Sequence, residues 1–144
     1  MKKGFTIIEL IVVIAVIAVL AVIVMVNVTA YITKSKNSSI KGNMASMLNR
    51  AADYFYNNPT NTGANFISSS DYTVPDAAAA TANGGTALTK FGHATGQSWC
   101  SCSVIYSTGA ESGTYCVSSN GYKKVTGTVC STRCPNATSP VCVD

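Results

Sequence analysis

The sequence predicts an α+β protein: one long N-terminal helix packed on a small antiparallel sheet of about three strands, closed by a disulfide-stapled C-terminal tail. Three observations carry that prediction. Residues 5–56 read as one helical stretch, apolar all round at first and apolar on a single face later. Residues 98–125 alternate and carry turn chemistry, including an Asn120-Gly121 pair. All six cysteines lie in the last third of the chain and none in the helix.

The first half of the helix has no polar residue from 10 to 26. Joined to residues 5–8, this run reaches the ~20 residues that a bilayer core requires. Lys2 and Lys3 stand in front of it, so the positive-inside rule places the N-terminus in the cytoplasm and the remainder outside. A signal peptide would have a shorter apolar core followed by a small-x-small cleavage site, and neither occurs. Glu9 is the lone acid in the run. A carboxylate there costs about 2.5–3.5 kcal/mol on insertion scales, which marks it as functional.

From residue 32 the helix becomes amphipathic. Ile40, Met44, Met47, Leu48, Ala51, Tyr54 and Phe55 recur every three or four residues and form a stripe for packing against the rest of the chain. Asn57-Asn58-Pro59 stops it. No proline or glycine interrupts residues 5–40, and by propensity the weakest helical stretch is 35–42, Ser-Lys-Asn-Ser-Ser-Ile-Lys-Gly.

Residues 59–97, rich in Thr, Asn, Ser, Ala and Gly, read as a long connecting loop with a helical turn at 76–80 capped by Asp76. His93, the sole histidine, reads as a surface loop residue and not as a ligand. Strands follow at 99–106, with Cys100, Cys102, Val104 and Tyr106 on one face, at 114–118, and at 122–125 after the Asn-Gly turn.

Cys100, Cys102, Cys116, Cys130, Cys134 and Cys142 sit in an exported, oxidising setting and lack the paired C-x2-C spacing of a zinc ribbon, so three disulfides are expected. A head with few large apolar residues needs such staples, each typically worth about 2–4 kcal/mol. Cys102 with Cys116 across the first hairpin is the best pair, leaving two bridges among Cys100, Cys130, Cys134 and Cys142.

No catalytic constellation, phosphate loop, cofactor motif or metal cage stands out. Glu111 and Asp144 are the only acids after Trp99, too few for a calcium site. The formal charge of +4 is too mild to argue for a nucleic-acid partner. Lys123, Lys124 and Arg133 are the candidates for such contact, and a solvated face is the simpler reading. Asn27, Asn37 and Asn136 begin glycosylation sequons that fit chance in a chain of this composition.

Gly4-Phe5-Thr6-Ile7-Ile8-Glu9-Leu10 resembles the class III leader and N-terminal helix of bacterial type IV pilins and their type II secretion relatives. The resemblance is specific from residue 2 to about 20 and fades beyond Tyr31. It implies cleavage by a prepilin peptidase between Gly4 and Phe5, N-methylation of Phe5, and assembly through Glu9. It also implies the pilin fold, with a cleaved leader at 1–4, a transmembrane and filament-core helix at 5–31, an amphipathic helix at 32–58, a variable surface loop at 59–97 and a cysteine-rich β head at 98–144. The partners implied are further copies in a helical homopolymer, other pilins, the peptidase, an assembly platform and motor, and the inner membrane before assembly.

After cleavage Phe5 carries an ammonium one turn from Glu9. Each charge is costly in apolar surroundings unless paired, and a neighbouring helix shifted by about a turn brings the two together in one register. The resemblance therefore points to a structural subunit of an extracellular pilus serving adhesion, motility or DNA uptake. The alternative within the family is a periplasmic type II secretion pseudopilin. A membrane-anchored enzyme or receptor is the reading from another class, and it predicts activity in the fragment 34–144. In the family a C-terminal disulfide loop closes the head, but six cysteines exceed the usual pair.

Overall fold

The computed structural model describes residues 4–107 and 112–143, the side chains at 26 and 27 excepted. Lys2, Lys3, Glu111, Asp144 and the Asn27 side chain therefore lie outside the described residues. The chain divides into two compact units, Met1–Ile32 and Thr33–Asp144. Helix α1, Ile7–Asn57, runs through 51 residues and contributes to both.

In the first unit α1 is apolar all round, and every described side chain from residue 5 to residue 31 is exposed. By length and composition this part of the helix is able to cross a membrane.

In the second unit α1 changes character. Asn37, Ile40, Met44, Met47 and Ala51 are buried at alternating spacings of three and four, the stripe that the sequence predicts. Around it stand α2 (Gly63–Ser68), α3 (Ser70–Ala82), β1 (Thr89–Gly92), β2 (Trp99–Ile105), β3 (Gly113–Ser118), β4 (Lys123–Thr126) and α4 (Cys130–Arg133). The described strands form an antiparallel meander in the order β1-β2-β3-β4. Gly121, at φ 80°, supplies the left-handed residue of the β3–β4 turn.

Successive residues of a strand face opposite sides of the sheet, and the two sides are built from different chemistry. Trp99, Ile105, Tyr115 and Val117 join Phe66, Tyr72 and the α1 stripe in an apolar core. Phe66 lies 5.0 Å from Trp99 and 5.6 Å from Tyr72, ring centre to ring centre, and the three rings tie α2 and α3 to β2. Cys100, Cys102 and Cys116 belong to a second cluster with Cys134 and Cys142 from the tail.

The region expected as a loop, 59–97, instead holds α2, α3 and the edge strand β1, so the sheet gains a fourth strand. Tyr72, Pro75 and Ala79 place one buried face of α3 on the core. Pro75 forfeits a single backbone bond near the helix start, and the alanines that follow are the strongest helix formers. Asp76 lies inside α3 and does not cap it; its carboxylate pairs with Lys90 of β1. Gly63 and Gly92 allow α2 to meet β1, because a Cβ on Gly92 would stand 2.2 Å from the Gly63 carbonyl oxygen. That backbone-to-backbone approach requires glycine.

The 35–42 stretch is helical despite its weak propensity. The Asn37 amide grips a peptide at the end of β2, donating from Nδ2 to the Tyr106 carbonyl (2.8 Å) and accepting at Oδ1 from the Tyr106 N–H (2.9 Å). With Ile40 buried one turn later, tertiary contacts hold what propensity alone does not.

Candidate functional site

Gly4, Phe5 and Thr6 precede the first helical residue, Ile7. Helix starts leave backbone N–H groups without partners, and Thr6 with Glu9 supplies them reciprocally. Thr6 Oγ1 accepts from the Glu9 N–H (3.3 Å), while Glu9 Oε2 accepts from the Thr6 N–H (2.9 Å) and from the Thr6 hydroxyl (2.8 Å). This capping box was written in the sequence as Thr-x-x-Glu; the sequence reading singled out Glu9 and missed Thr6. Both donors use Oε2, so Oε1 takes neither of these bonds.

The cap fixes where the helix begins. The Gly4–Phe5 peptide lies outside it, and Phe5 is 79% exposed. A Cβ on Gly4 would meet nothing within 4 Å, so the fold makes no demand for glycine there.

All six cysteines are bridged, in three pairs: Cys100–Cys134, Cys102–Cys130 and Cys116–Cys142, with Cα separations of 5.8, 5.5 and 6.1 Å. The expected Cys102–Cys116 bridge is not formed. Those two residues are direct cross-strand partners, as a hairpin bridge would require. Opposed strand residues hold their Cβ atoms about 4.5–5.5 Å apart, wider than the ~3.8 Å of a disulfide. The tail crosses the same face and offers each strand cysteine its own partner. One sheet face thus carries three staples to residues 130–142, where α4 is the regular structure described.

Arg133, at the end of α4, is fully buried and is not part of an exposed basic patch with Lys123 and Lys124. Its guanidinium donates to the Thr126 hydroxyl and the Tyr122 phenol, and lies 5.1 Å from the Tyr122 ring centre. Its Nε has no partner among the described residues. The three residues weighed for nucleic-acid contact are therefore not one surface.

His93 has a structural task. Nδ1 accepts from the backbone N–H of Thr95 (3.1 Å) and of Gly96 (2.9 Å), closing the β1–β2 connection, so the ring proton belongs on Nε2. Among the sequons, the Asn37 amide is buried and occupied, which leaves no room for a sugar. Asn136 is exposed, but its Oδ1 is spent on the N–H groups of Thr138 and Ser139.

Residues 1–25 match the family model described as the prokaryotic N-terminal methylation motif. No curated protein and no solved structure matches the chain. The match ends within the first unit, and the head is understood from its own geometry.

Proposed function

Because the chain carries the N-terminal methylation motif of type IV pilin- and pseudopilin-like precursors, we propose that it is a structural subunit of an extracellular type IV pilus, cut between Gly4 and Phe5 and methylated on Phe5. The observation that carries the proposal is the contrast at the N-terminus: a methylation motif on a stretch, residues 5–31, whose described apolar side chains are all exposed. Such a surface needs a bilayer before assembly and other copies of the same helix after it.

Glu9 is the assembly residue. It caps its own helix through Oε2, and Oε1 remains to receive the Phe5 ammonium of a neighbouring copy. The two tasks are compatible, so the carboxylate need not release Thr6 in order to bind. A pair satisfied in one stagger sets the register of the helical polymer. Assembly needs no catalytic group on the subunit. The assembly platform, motor and peptidase act on it, and the cross-linked head faces the outside.

The test is incorporation of Glu9→Val into filaments made alongside the unaltered chain. Removing one member of a buried pair costs about 3–5 kcal/mol, equivalent to roughly a 100-fold loss of incorporation or more. Incorporation at the normal level removes the assembly role of Glu9.

A further inference from the structure

We propose that the head reaches its native state only with a thiol–disulfide isomerase of the exported compartment, acting in addition to a dithiol oxidase. The inference rests on export of the head and not on which fibre it joins.

The cysteines pair first with fifth, second with fourth and third with sixth. No bridge joins cysteines that are neighbours in sequence. Export delivers the chain from the N-terminal side, so Cys100, Cys102 and Cys116 emerge before any of their partners. An oxidase that meets them as they appear joins what is present, and every bond among these three is wrong.

Folding adds to this error. The β2–β3 hairpin is local and forms without the tail, since closing a short loop is faster and entropically cheaper than closing a long one. The hairpin sets Cys102 directly opposite Cys116. Native bridges span sequence separations of 34, 28 and 26, all longer than the distance between those two cysteines. The fit is looser than that of a native bridge, but in the unpacked hairpin the strands adjust to it. A Cys102–Cys116 bond then removes the anchors of both Cys130 and Cys142, and two staples are lost to one local bond.

Exchange repairs this without net electron transfer. The isomerase thiolate attacks one sulfur of the Cys102–Cys116 bond, forming a mixed disulfide and freeing the other cysteine as a thiolate. Attack on Cys102 frees Cys116. The Cys130 thiolate then attacks the mixed disulfide at Cys102, forms the native bridge and expels the isomerase thiolate. Cys116 is left to pair with Cys142. Net oxidation is separate: each dithiol gives two electrons and two protons to an oxidase disulfide, which becomes a dithiol.

Burial decides where reshuffling stops. Cys100, Cys102, Cys116, Cys134 and Cys142 are buried in the native head, and Cys130 alone among the six is half-buried. A thiolate needs access to sulfur, so wrong bonds in an undocked hairpin stay exchangeable while native bonds are withdrawn from attack. The isomerase works on the chain until the tail docks.

The test starts from the full-length chain, reduced in detergent micelles and reoxidised with a dithiol oxidase alone or with oxidase plus isomerase. Disulfides are then read by mass spectrometry of unreduced peptides. With oxidase alone, the yield of the native set is expected to be at least about fivefold lower, with Cys102–Cys116 or Cys100–Cys102 in the remainder. Adding the isomerase should convert that remainder to the native set. An equal native yield without isomerase overturns the proposal. So does a map of the protein taken from cells in which neighbouring cysteines are joined.

Discussion

The two units of this chain share a helix and obey opposite rules. From residue 5 to residue 31 every described side chain is exposed, although most are large and apolar. From Asn37 onward the same helix buries one face, and the head closes around Trp99, Phe66, Tyr72 and the α1 stripe. A helix that is apolar all round with nothing packed on it is made for an apolar environment supplied by something else. One with a stripe is made for its own domain. The apolar surface of the first unit is thus left uncovered by the described chain, whereas the head holds its own core and is locked by three covalent bridges.

Substitutions should respect this boundary. Glu9→Val is expected to have the largest effect on assembly while leaving the unfolding midpoint of the head unchanged in detergent; a shifted midpoint would show that the units are not independent. Trp99→Ala strikes the head alone. Truncating a fully buried tryptophan at the centre of the aromatic cluster should cost about 3–5 kcal/mol, read by chemical denaturation. Membrane insertion of the precursor should not change.

Asn37→Ala tests the point where the helix turns from one rule to the other. It leaves the Tyr106 N–H and carbonyl without their partners, a loss of about 1–3 kcal/mol. Protection of the 35–42 amides from hydrogen exchange should fall more than protection of the sheet. Uniform loss across the head would contradict the local role.

The smallest effect at neutral pH is expected from Tyr72→Phe, about 1 kcal/mol for the bond to Ser101 Oγ at 2.9 Å. It also carries a pH signature. Burial pushes the Tyr72 phenol well above the ordinary tyrosine range; the Ser101 bond opposes this and the Asp76 charge adds to it. A raised folded-state value means that this stability is complete below about pH 10, where the unfolded phenol ionises, and is lost as pH rises above that towards the folded value. The melting temperature of the head should therefore fall in alkali, and Tyr72→Phe should flatten that fall. Burial raises the Tyr115 phenol as well, so a shallower slope should remain.

What the sequence made legible follows the same division. Both halves of α1 were readable because apolar pattern alone decides them, and β2, β3 and β4 because alternation and an Asn-Gly turn are local signals. Residues 59–97 were not readable as helix and strand. Their polar composition and Pro75 suggest a loop, while what orders them is distant: Phe66 and Tyr72 against Trp99, Asp76 against Lys90, and Gly63 against Gly92. The disulfide pairing failed for a related reason. Cys102 and Cys116 are neighbours in the hairpin, but only the path of the tail shows that each has a better partner. Arg133 reads as a surface cation by type, but it is buried, with its guanidinium turned in to Thr126 and Tyr122.

Assembly into a pilus is tested most directly by the intact mass of this chain in filaments sheared from cells, before and after reduction and alkylation. A pilus subunit should appear there as a species beginning at Phe5, carrying one methyl group, with all six cysteines protected until reduction. A processed chain that stays with the membrane and never enters the sheared fraction would contradict the pilus and favour a secretion pseudopilus. A chain still beginning at Met1 would contradict the processing step on which the whole reading depends.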